Sequence, residues 1–450
     1  MIPVVTPAEM KAVDETASEP VDVLVARAGA AVARAAARRL GGTYGRRVVV
    51  VAGKGNNGAD GRAAAERLRR RGVAVEVVDA AGAPDRLPVA YLVIDAAYGT
   101  GFHGAYEAPD TGDATVLAVD IPSGVDGLTG EAGDGAAFAD STVTFAALKP
   151  GLLLGAGRRR SGLVEVTDIG LDVSGARIHV VEDADVVAAL PAPPAVAHKW
   201  QTAVCLVAGS PGMMGAPILV ARGALRGGSG YVRLGVPGGS PGDLPAGTEA
   251  VAVRVGADEW ASDVLPELAR CKALVIGPGL GRGDRVTANV RRLVAAAPVP
   301  VLVDADGLNA LGTEAPDVLR ARTAPTVLTP HDGEFARLAG HPPGPDRIAE
   351  ARGLAADTGA VVLLKGSTTV VAAPDGQVRL TVTGDARLAT AGTGDVLSGV
   401  AGAFLAQGVP PLDAAAAAAH AHGAAAHLGP RRGLIAGDLP EVLARWLDDG

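Results

Sequence analysis

Short valine-rich runs alternate with alanine-rich, helix-like segments along the chain, and this alternation is the strongest constraint on its fold. Strands that alternate with helices form parallel sheets, because each helix supplies the crossover between neighbouring strands. Hydrophobic residues make up 48% of the chain but aromatic residues only 3%, which is typical of valine-rich parallel strands covered by alanine-rich helices. The predicted strands are Arg47–Ala52, Val73–Asp79, Leu92–Ala96, Val116–Ile121, Thr142–Phe145, Val164–Asp168, Ala203–Ala208, Tyr231–Val236, Leu274–Ile276, Val299–Asp304, Thr326–Leu328, Val361–Leu364, Thr369–Ala372 and Val378–Thr383.

A proline-rich stretch, Leu190–Ala195, divides the chain into two halves. Three prolines within four residues cannot continue a helix or a central strand, so this stretch is the best candidate for a linker. A length of 450 residues is also more than one domain usually contains. We therefore predict an α/β protein with one domain over residues 1–190 and a second over residues 191–450.

The charge and hydropathy of the chain exclude some classes of partner. A net charge of −8 argues against a nucleic-acid partner, and the short arginine clusters at 69–71 and 158–160 are interpreted as solvated helix or loop ends. No apolar stretch approaches a membrane span, and the N-terminus lacks the pattern of a signal peptide. We expect a cytoplasmic protein with no membrane or nucleic-acid partner. The alanine-rich helices leave room for a subunit interface, so we also expect a homo-oligomer.

A glycine-rich segment, Gly53–Gly61, follows the first predicted strand and precedes a helical run, Arg62–Arg71. It contains the spacing G-x-G-x-x-G, and Asp79 ends the next strand, which together favour a dinucleotide site. A tight structural turn is the alternative interpretation. The adjacent Asn56 and Asn57 add amide oxygens suited to a cation or a polar ligand, and Asp60 is a plausible cap of the helix.

Two further strands of the first half end in aspartates. Asp95 leads into the flexible loop Tyr98–Gly104, and Asp120 leads into Ile121–Gly127, which contains Ser123. Ligands of open parallel sheets bind beyond the carboxyl ends of the strands. One such aspartate is readily explained as a turn cap, but three neighbouring polar strand ends predict a site.

The second half carries a glycine loop at the start of a helix, Ala391-Gly392-Thr393-Gly394-Asp395, followed by the apolar run Val396–Gln407. Glycines at a helix N-terminus offer free backbone N–H groups to a phosphoryl oxygen. An aspartate at that point can accept the proton of an attacking hydroxyl. The loop therefore predicts phosphoryl transfer, although no P-loop motif is present.

Three other strand ends support a phosphoryl-transfer site. Lys365 and the hydroxyls of Ser367–Thr369 suit nucleotide phosphates. The segment Thr329–Glu334 ends one strand and begins a helix, with His331 as a site candidate or a cap. The segment Asp304–Asn309 is predicted to form a polar lip of the same site.

The motifs of the first half resemble those of the NAD(P)HX epimerase family, which interconverts the two epimers of hydrated NAD(P)H on a Rossmann-like, three-layer fold. The resemblance lies in Gly55–Gly61, Asp95–Gly101, Asp120–Asp126 and Thr144–Gly151; Ala59 departs from the family, which usually has glycine there. It implies that a potassium ion is held by Asn57, Asp95 and Ser123. Asp120 is the candidate general acid or base, with Lys149 a weaker participant. The residues implied to line the substrate are Asn56, Asn57, Gly58, Ala59, Asp60, Gly99, Thr100, Gly101, Phe102, His103, Gly104, Ala105 and Asp120.

From about His198 onward, the chain resembles the ADP/ATP-dependent NAD(P)HX dehydratase family, which has a ribokinase-like fold. The motifs are the loops 209–216 and 277–281 together with the segments described above; at 198–201 only His-Lys of the usual pattern is kept. The resemblance implies Asp395 as the catalytic residue and a magnesium ion with ADP or ATP. The implied hydrate-binding residues are Ala216, Gly279, His331 and Asp395, and the implied nucleotide-binding residues are Lys365, Gly366, Ser367, Thr368, Thr369 and Gly394.

The two resemblances together predict a bifunctional repair enzyme with NADHX and NADPHX as substrates. The hydroxyl of the hydrated ring is a poor leaving group, and phosphorylation through Asp395 converts it into a good one, after which phosphate is eliminated. One alternative is a small-molecule kinase with an N-terminal nucleotide-binding module. Another is a first half that binds nucleotide without turnover.

Overall fold

The computed structural model describes residues 1–192, 195–240 and 248–449. The chain divides into two compact units, which we call the first unit, Ile2–Ile178, and the second unit, His179–Gly450, to which Met1 is also assigned. The division falls between residues 178 and 179, whereas the sequence places it near residue 190. Of the linker candidate Leu190–Ala195, Pro193 and Pro194 lie outside the described residues.

The strands of the first unit are β1 (Ile2–Val4), β2 (Arg47–Ala52), β3 (Ala74–Asp79), β4 (Leu92–Ala96), β5 (Thr115–Val119), β6 (Ser141–Phe145) and β7 (Leu163–Thr167). Six of them form a sheet in the order β3-β2-β4-β5-β6-β7, and every neighbouring pair is parallel. Strand β4 is buried throughout and β2 is buried except for Arg47, as expected for a sheet with helices on its faces. The helices of the first unit are α1 (Pro7–Glu15), α2 (Val21–Leu40), α3 (Asn56–Arg69), α4 (Pro150–Leu153) and α5 (Gly155–Arg160).

Helix α3 begins earlier than the sequence predicts. The predicted start was Arg62, but Gly55 is the N-cap and Asn56 is already helical. The prediction that Asp60 caps this helix is therefore wrong, because Asp60 lies inside it. Glycines at 58 and 61 let the first turns approach the sheet, since a Cβ would lie 1.9 Å from the Gly53 carbonyl oxygen at Gly58 and 2.5 Å from the Ala96 Cβ at Gly61. This packing outweighs the weak helix propensity of the asparagine pair.

The strands of the second unit are β8 (Ile178–Val180), β9 (Ala203–Val207), β10 (Tyr231–Gly235), β11 (Val251–Val253), β12 (Ala273–Ile276), β13 (Val301–Val303), β14 (Thr326–Leu328), β15 (Val361–Leu364), β16 (Thr369–Ala372) and β17 (Val378–Thr381). They lie in the sheet order β8-β17-β16-β15-β14-β13-β12-β9-β10-β11, parallel from β15 to β11 and antiparallel from β15 to β17. The helices of the second unit are α6 (Asp183–Ala189), α7 (Gly215–Arg226), α8 (Trp260–Val264), α9 (Asp284–Ala296), α10 (Asp306–Leu311), α11 (Ala315–Leu319), α12 (Asp332–Ala339), α13 (Arg347–Thr358), α14 (Thr393–Ala406), α15 (Pro411–Ala426) and α16 (Leu439–Asp449).

The alanine-rich helix α15 is buried inside the second unit. Twelve of its residues, among them His420 and His422, are buried against the core of that unit. Its apolar surface is therefore already covered, and it no longer supports the expectation of a subunit interface. None of the helices formed by the described residues is long and apolar enough to cross a membrane.

Helices α14 and α7 pack so closely that one of their contacts requires glycine. A Cβ on Gly399 would lie 2.1 Å from the Val220 carbonyl oxygen, and this backbone atom cannot move aside as a flexible side chain could. We expect Gly399→Ala to lower the free energy of unfolding of the second unit by about 1–3 kcal/mol through overpacking.

Gly353 provides the matched control for this substitution. It lies within helix α13, and no atom stands within 4 Å of the position of its Cβ. We expect Gly353→Ala to leave stability unchanged or to raise it by up to about 1 kcal/mol, because alanine has the higher helix propensity. Urea unfolding of both variants measures the difference, and equal effects would contradict the close contact between α14 and α7.

Candidate functional site

The first turn of α3 brings Asn57 into the interior of the first unit. The side chain is 9% exposed, and neither its amide nitrogen nor its amide oxygen has a hydrogen-bond partner among the described residues. Buried polar atoms are normally satisfied, because leaving one without a partner costs free energy. Asn57 is thus placed to contact a ligand that binds beside the first turn of α3.

Asp95 and Ser123 form a buried pair at the carboxyl edge of the sheet. The hydroxyl of Ser123 donates to Asp95 Oδ1 at 2.6 Å, and its backbone N–H donates to Asp95 Oδ2 at 2.8 Å. The Ser123 hydroxyl in turn accepts from the backbone N–H of Tyr98 at 2.9 Å. Burial raises the pKa of the Asp95 carboxyl, while the donors from Ser123 act in the opposite direction.

Asp120 is held by a buried ion pair just beyond β5. Lys149 Nζ lies 2.8 Å from Asp120 Oδ1, and the two side chains are 2% and 15% exposed. Asp120 also accepts from the Thr144 hydroxyl at 3.1 Å and from the Thr100 backbone N–H at 3.3 Å. Burial alone would raise the pKa of Asp120, but the Lys149 charge and these donors hold it below its ordinary value. Asp120 is therefore ionised at neutral pH.

The backbone at Asp120 and the loop from Gly99 to Ala105 close this part of the site. Asp120 has a φ of +66°, a left-handed conformation that aspartate tolerates better than most residues. A Cβ on Gly99 would lie 3.2 Å from Asp120 Oδ2 and 3.5 Å from the Asn57 Cβ, so Gly99 brings α3 and Asp120 to one crevice. Phe102 packs on Tyr98 with ring centroids 4.5 Å apart, whereas His103, Gly104 and Ala105 are exposed.

In the second unit, Asp395 lies in the first turn of α14. Gly392 is the N-cap with a φ of +90°, so the helix begins at Thr393. Burial raises the pKa of Asp395 to about 6, the charges of Asp304 and Glu334 act in the same direction, and Lys365 opposes them. A carboxylate with a pKa near neutrality is suited to accept a proton.

A network of buried charges lies beside the start of α14. Lys365 Nζ donates to Asp304 Oδ1 at 2.9 Å and lies 3.5 Å from Glu334 Oε2. The hydroxyl of Ser398, one turn along α14 from Asp395, donates to the other Asp304 oxygen at 2.7 Å. The network joins the helix start to the carboxyl ends of β13 and β15, and it leaves Lys365 22% exposed.

His331 is the N-cap residue of α12. Its Nδ1 accepts from the backbone N–H of Gly333 at 3.0 Å, and the Glu334 carboxylate accepts from the His331 backbone N–H at 2.9 Å. The imidazole is 58% exposed, and its Nε2 lies 3.4 Å from Glu334 Oε1. The interpretation of His331 as a cap is confirmed. The exposed ring remains a candidate for the site, since the cap fixes its position without burying it.

The other residues of the second unit that are predicted to bind the hydrate or the nucleotide lie near the same edge of the sheet. A Cβ on Gly279 would lie 3.3 Å from the Ala216 Cβ, so these two residues are adjacent. A Cβ on Gly394 would lie 3.8 Å from Lys365 Nζ, which places the helix start next to the lysine. After Lys365, Gly366 and Ser367 are exposed, Thr368 is buried, and Thr369 begins β16.

The histidines of the α15 region do not form a cluster. His420 Nε2 lies 2.6 Å from an Asp183 carboxylate oxygen, whereas His427 contacts Arg387. Burial lowers the pKa of His422 to about 4, so this ring is neutral at physiological pH. Across the described ranges, no three His, Cys, Asp or Glu side chains are grouped so that they could hold a metal ion.

Comparison with known proteins identifies both units. Residues 204–447 match the family described as NAD(P)H-hydrate dehydratase, and residues 21–90 and 80–151 match the family described as YjeF-related protein N-terminus. The bifunctional NAD(P)H-hydrate repair enzyme Nnr of Mycobacterium leprae is 40% identical over 96% of this chain and 94% of its own length. The enzyme of the same name from Salinibacter ruber is 36% identical over 98% and 96%.

Solved structures resemble the second unit. A Bacillus subtilis ADP/ATP-dependent NAD(P)H-hydrate dehydratase, co-crystallised with ATP and Mg²⁺, matches with a TM-score of 0.50 and 33% identity, over 60% of this chain and 97% of its own. A ribokinase-like superfamily protein from Enterococcus faecalis matches with a TM-score of 0.52 at 20% identity, over 61% and 96%, which bears on the fold alone.

Fold and site together define an α/β enzyme whose second unit is ribokinase-like. The class predicted from the sequence is thereby confirmed. More particularly, the chain belongs to the family of bifunctional NAD(P)H-hydrate repair enzymes, as its motifs predicted.

Several contacts of the two sites were not predicted from the sequence. Ser398 lies in an apolar helical run, and only its spacing of three residues from Asp395 indicates a shared helix face. Glu334 stood within a named segment, but its approach to Lys365 depends on the pairing of β14 with β15. The charge of Asp14, in α1, acts on Asp60, and no motif in the sequence indicates that these two residues lie near each other.

Proposed function

We propose that this chain repairs hydrated NAD(P)H in two steps, epimerising (R)- and (S)-NAD(P)HX in the first unit and dehydrating the (S)-epimer in the second. Family membership over nearly the whole chain supports this function. The observation that carries it is the start of α14, where Asp395 lies in the first helical turn beside the buried Asp304–Lys365 pair and has a pKa raised to about 6. NADHX and NADPHX are both proposed as substrates.

In the dehydration step, Asp395 accepts the proton of the ring hydroxyl as that oxygen attacks the terminal phosphoryl group of ADP or ATP. The backbone N–H of Gly394, in the first turn of α14, stabilises the charge that develops on the phosphoryl oxygens. The phosphorylated hydroxyl then leaves as phosphate, and loss of the neighbouring ring proton restores NAD(P)H. Ala216, Gly279 and His331 are proposed to contact the hydrate, and Lys365–Thr369 with Gly394 to contact the nucleotide.

Magnesium is proposed to accompany the nucleotide. The described residues offer no cluster of three metal-ligating side chains, so a binding cage made of protein alone does not fit. Mg²⁺ commonly binds through substrate phosphates, water and one or two carboxylates, and such a mode needs no cage. When bound, the ion neutralises phosphate charge.

Potassium is proposed to bind in the first unit at Asn57, Asp95 and Ser123. The unpartnered amide oxygen of Asn57 and the buried carboxylate of Asp95 are hard oxygen donors, so these residues fit a cation. A cation there would help the Ser123 donors to keep Asp95 ionised. Its chemical contribution would be to orient polar groups of the hydrate.

One experiment tests both activities. The full-length protein is incubated with a mixture of NADHX or NADPHX epimers and ADP or ATP, and the recovery of NAD(P)H is followed by absorbance, in potassium or tetramethylammonium buffer. We expect recovery of both epimers in potassium and a slower second phase without it. No recovery with either nucleotide refutes the dehydratase, and accumulation of a stable phosphorylated hydrate favours a kinase instead.

A further inference from the structure

Two carboxylates of the first unit, Asp60 and Asp120, lie in opposite environments. Asp120 has a lysine partner and two hydrogen-bond donors. Asp60 is only 8% exposed, and within the described ranges no group donates a hydrogen bond to it. A buried carboxylate without donors is costly to ionise, whereas one with a cation and donors is costly to protonate.

Both carboxylates belong to the crevice at the carboxyl edge of the sheet. Asp60 lies three residues after Asn57 on α3, so the two side chains share one side of the helix. The position of Gly99 connects Asn57 with Asp120, as described above. Asp60 and Asp120 also interact through their charges, which places them within electrostatic reach of each other.

We propose that Asp60 is the general acid of the epimerase and that Asp120 is the ionised carboxylate that stabilises the cationic intermediate. This inference rests on the proposed epimerase function and deepens it. Two carboxyl groups whose environments separate their protonation states are the recurring arrangement for reactions that pass through a cation.

The lone pair of the ring nitrogen expels the hydroxyl from the adjacent carbon, the C–O bond breaks, and Asp60 gives its proton to the departing oxygen, which leaves as water. The planar iminium ion that remains is stabilised by Asp120. Water then adds to the opposite face, a new C–O bond forms, and Asp120 accepts the proton that this water loses. Solvent returns a proton to Asp60 and removes one from Asp120.

The charged groups around the two carboxylates set the expected pH dependence. Burial, followed by the charges of Asp120 and Asp14, raises the pKa of Asp60 to about 8. Lys149 faces Asp120, and the charges of Lys149 and Asp120 both act on Asp14. An acid must carry its proton to act, so kcat for epimerisation should fall as the pH rises above about 8.

The test uses Asp60→Asn in the full chain, with Asp113→Asn as the matched control because Asp113 is exposed. We expect Asp60→Asn to lower kcat for epimerisation by at least about 10²-fold, to abolish the alkaline limb and to leave dehydration of (S)-NADHX unchanged. Asp60→Glu should restore part of the rate. Enzymatic epimerisation in H₂¹⁸O should place ¹⁸O in the product hydroxyl at the rate of epimerisation.

The outcomes separate this inference from the proposed function. If the wild-type protein dehydrates the (S)-epimer but never converts the (R)-epimer, the epimerase function itself fails. If the wild-type protein epimerises and Asp60→Asn retains its rate within threefold, Asp60 is not the acid. Retention of the original oxygen during enzymatic turnover overturns the C–O cleavage step.

Discussion

Replacing Asp395 with asparagine is expected to lower kcat/KM for nucleotide-dependent dehydration by between about 10²- and 10⁴-fold, the usual contribution of a general base. Asparagine keeps the shape of the side chain but cannot accept the hydroxyl proton. Epimerisation in the first unit should be unchanged. The measurement is recovery of NADH from pure (S)-NADHX, with Asp357→Asn, an exposed aspartate of the second unit, as the matched control.

The pH profile distinguishes a base from a structural residue at this position. Because the pKa of Asp395 is raised to about 6, the carboxyl takes up a proton as the pH falls through that value. The wild-type kcat/KM should therefore fall about tenfold for each unit below pH 6 and level off above it. The residual activity of Asp395→Asn should lack this limb. A wild-type profile that stays flat from pH 5 to 7 would contradict the assignment.

The prediction at Asp395 could be made from the sequence because local signals coincide there. A glycine pair, an aspartate and an apolar run fix the helix start within two residues of its observed position, Thr393. The ends of the strands could also be predicted from the sequence, because buried strands in parallel sheets are short apolar runs followed by polar residues. Asp95, Asp120 and Lys365 therefore lie at the predicted sheet edges.

The start of α3 and the partners of the buried charged residues could not be predicted from local sequence patterns. Asn56 and Asn57 have weak helix propensity, and only the approach of Gly58 to Gly53 explains why the helix includes them. Lys149 was named only through the family resemblance, and its burial against Asp120 depends on the pairing of β5 with β6. Such contacts depend on the tertiary structure.

Lys149→Met is the substitution with the largest expected effect on stability. It removes the charge that compensates the buried Asp120 and leaves that carboxylate with only its two hydrogen-bond donors. Breaking one side of a buried pair typically costs about 3–5 kcal/mol. We expect a loss of this size at pH 8, measured by urea unfolding with hydrogen exchange in β6 reporting the first unit. Lys11→Met, whose lysine is 78% exposed, is the matched control.

The sign of the pH dependence should also reverse. In the wild type the pKa of Asp120 is depressed in the folded state, so the ion pair stabilises the protein above the unfolded pKa and this contribution is lost as the pH falls. Without Lys149, burial raises the pKa of Asp120 in the folded state above its value in the unfolded state. As the pH rises from the unfolded pKa to the folded pKa, the protein therefore loses stability. Lys149→Met should therefore be closer to the wild type at pH 5 than at pH 8, and Asp120→Asn added to Lys149→Met should restore stability at pH 8. A constant deficit at both pH values, with no rescue by the second substitution, would show that Lys149 contributes packing and not charge.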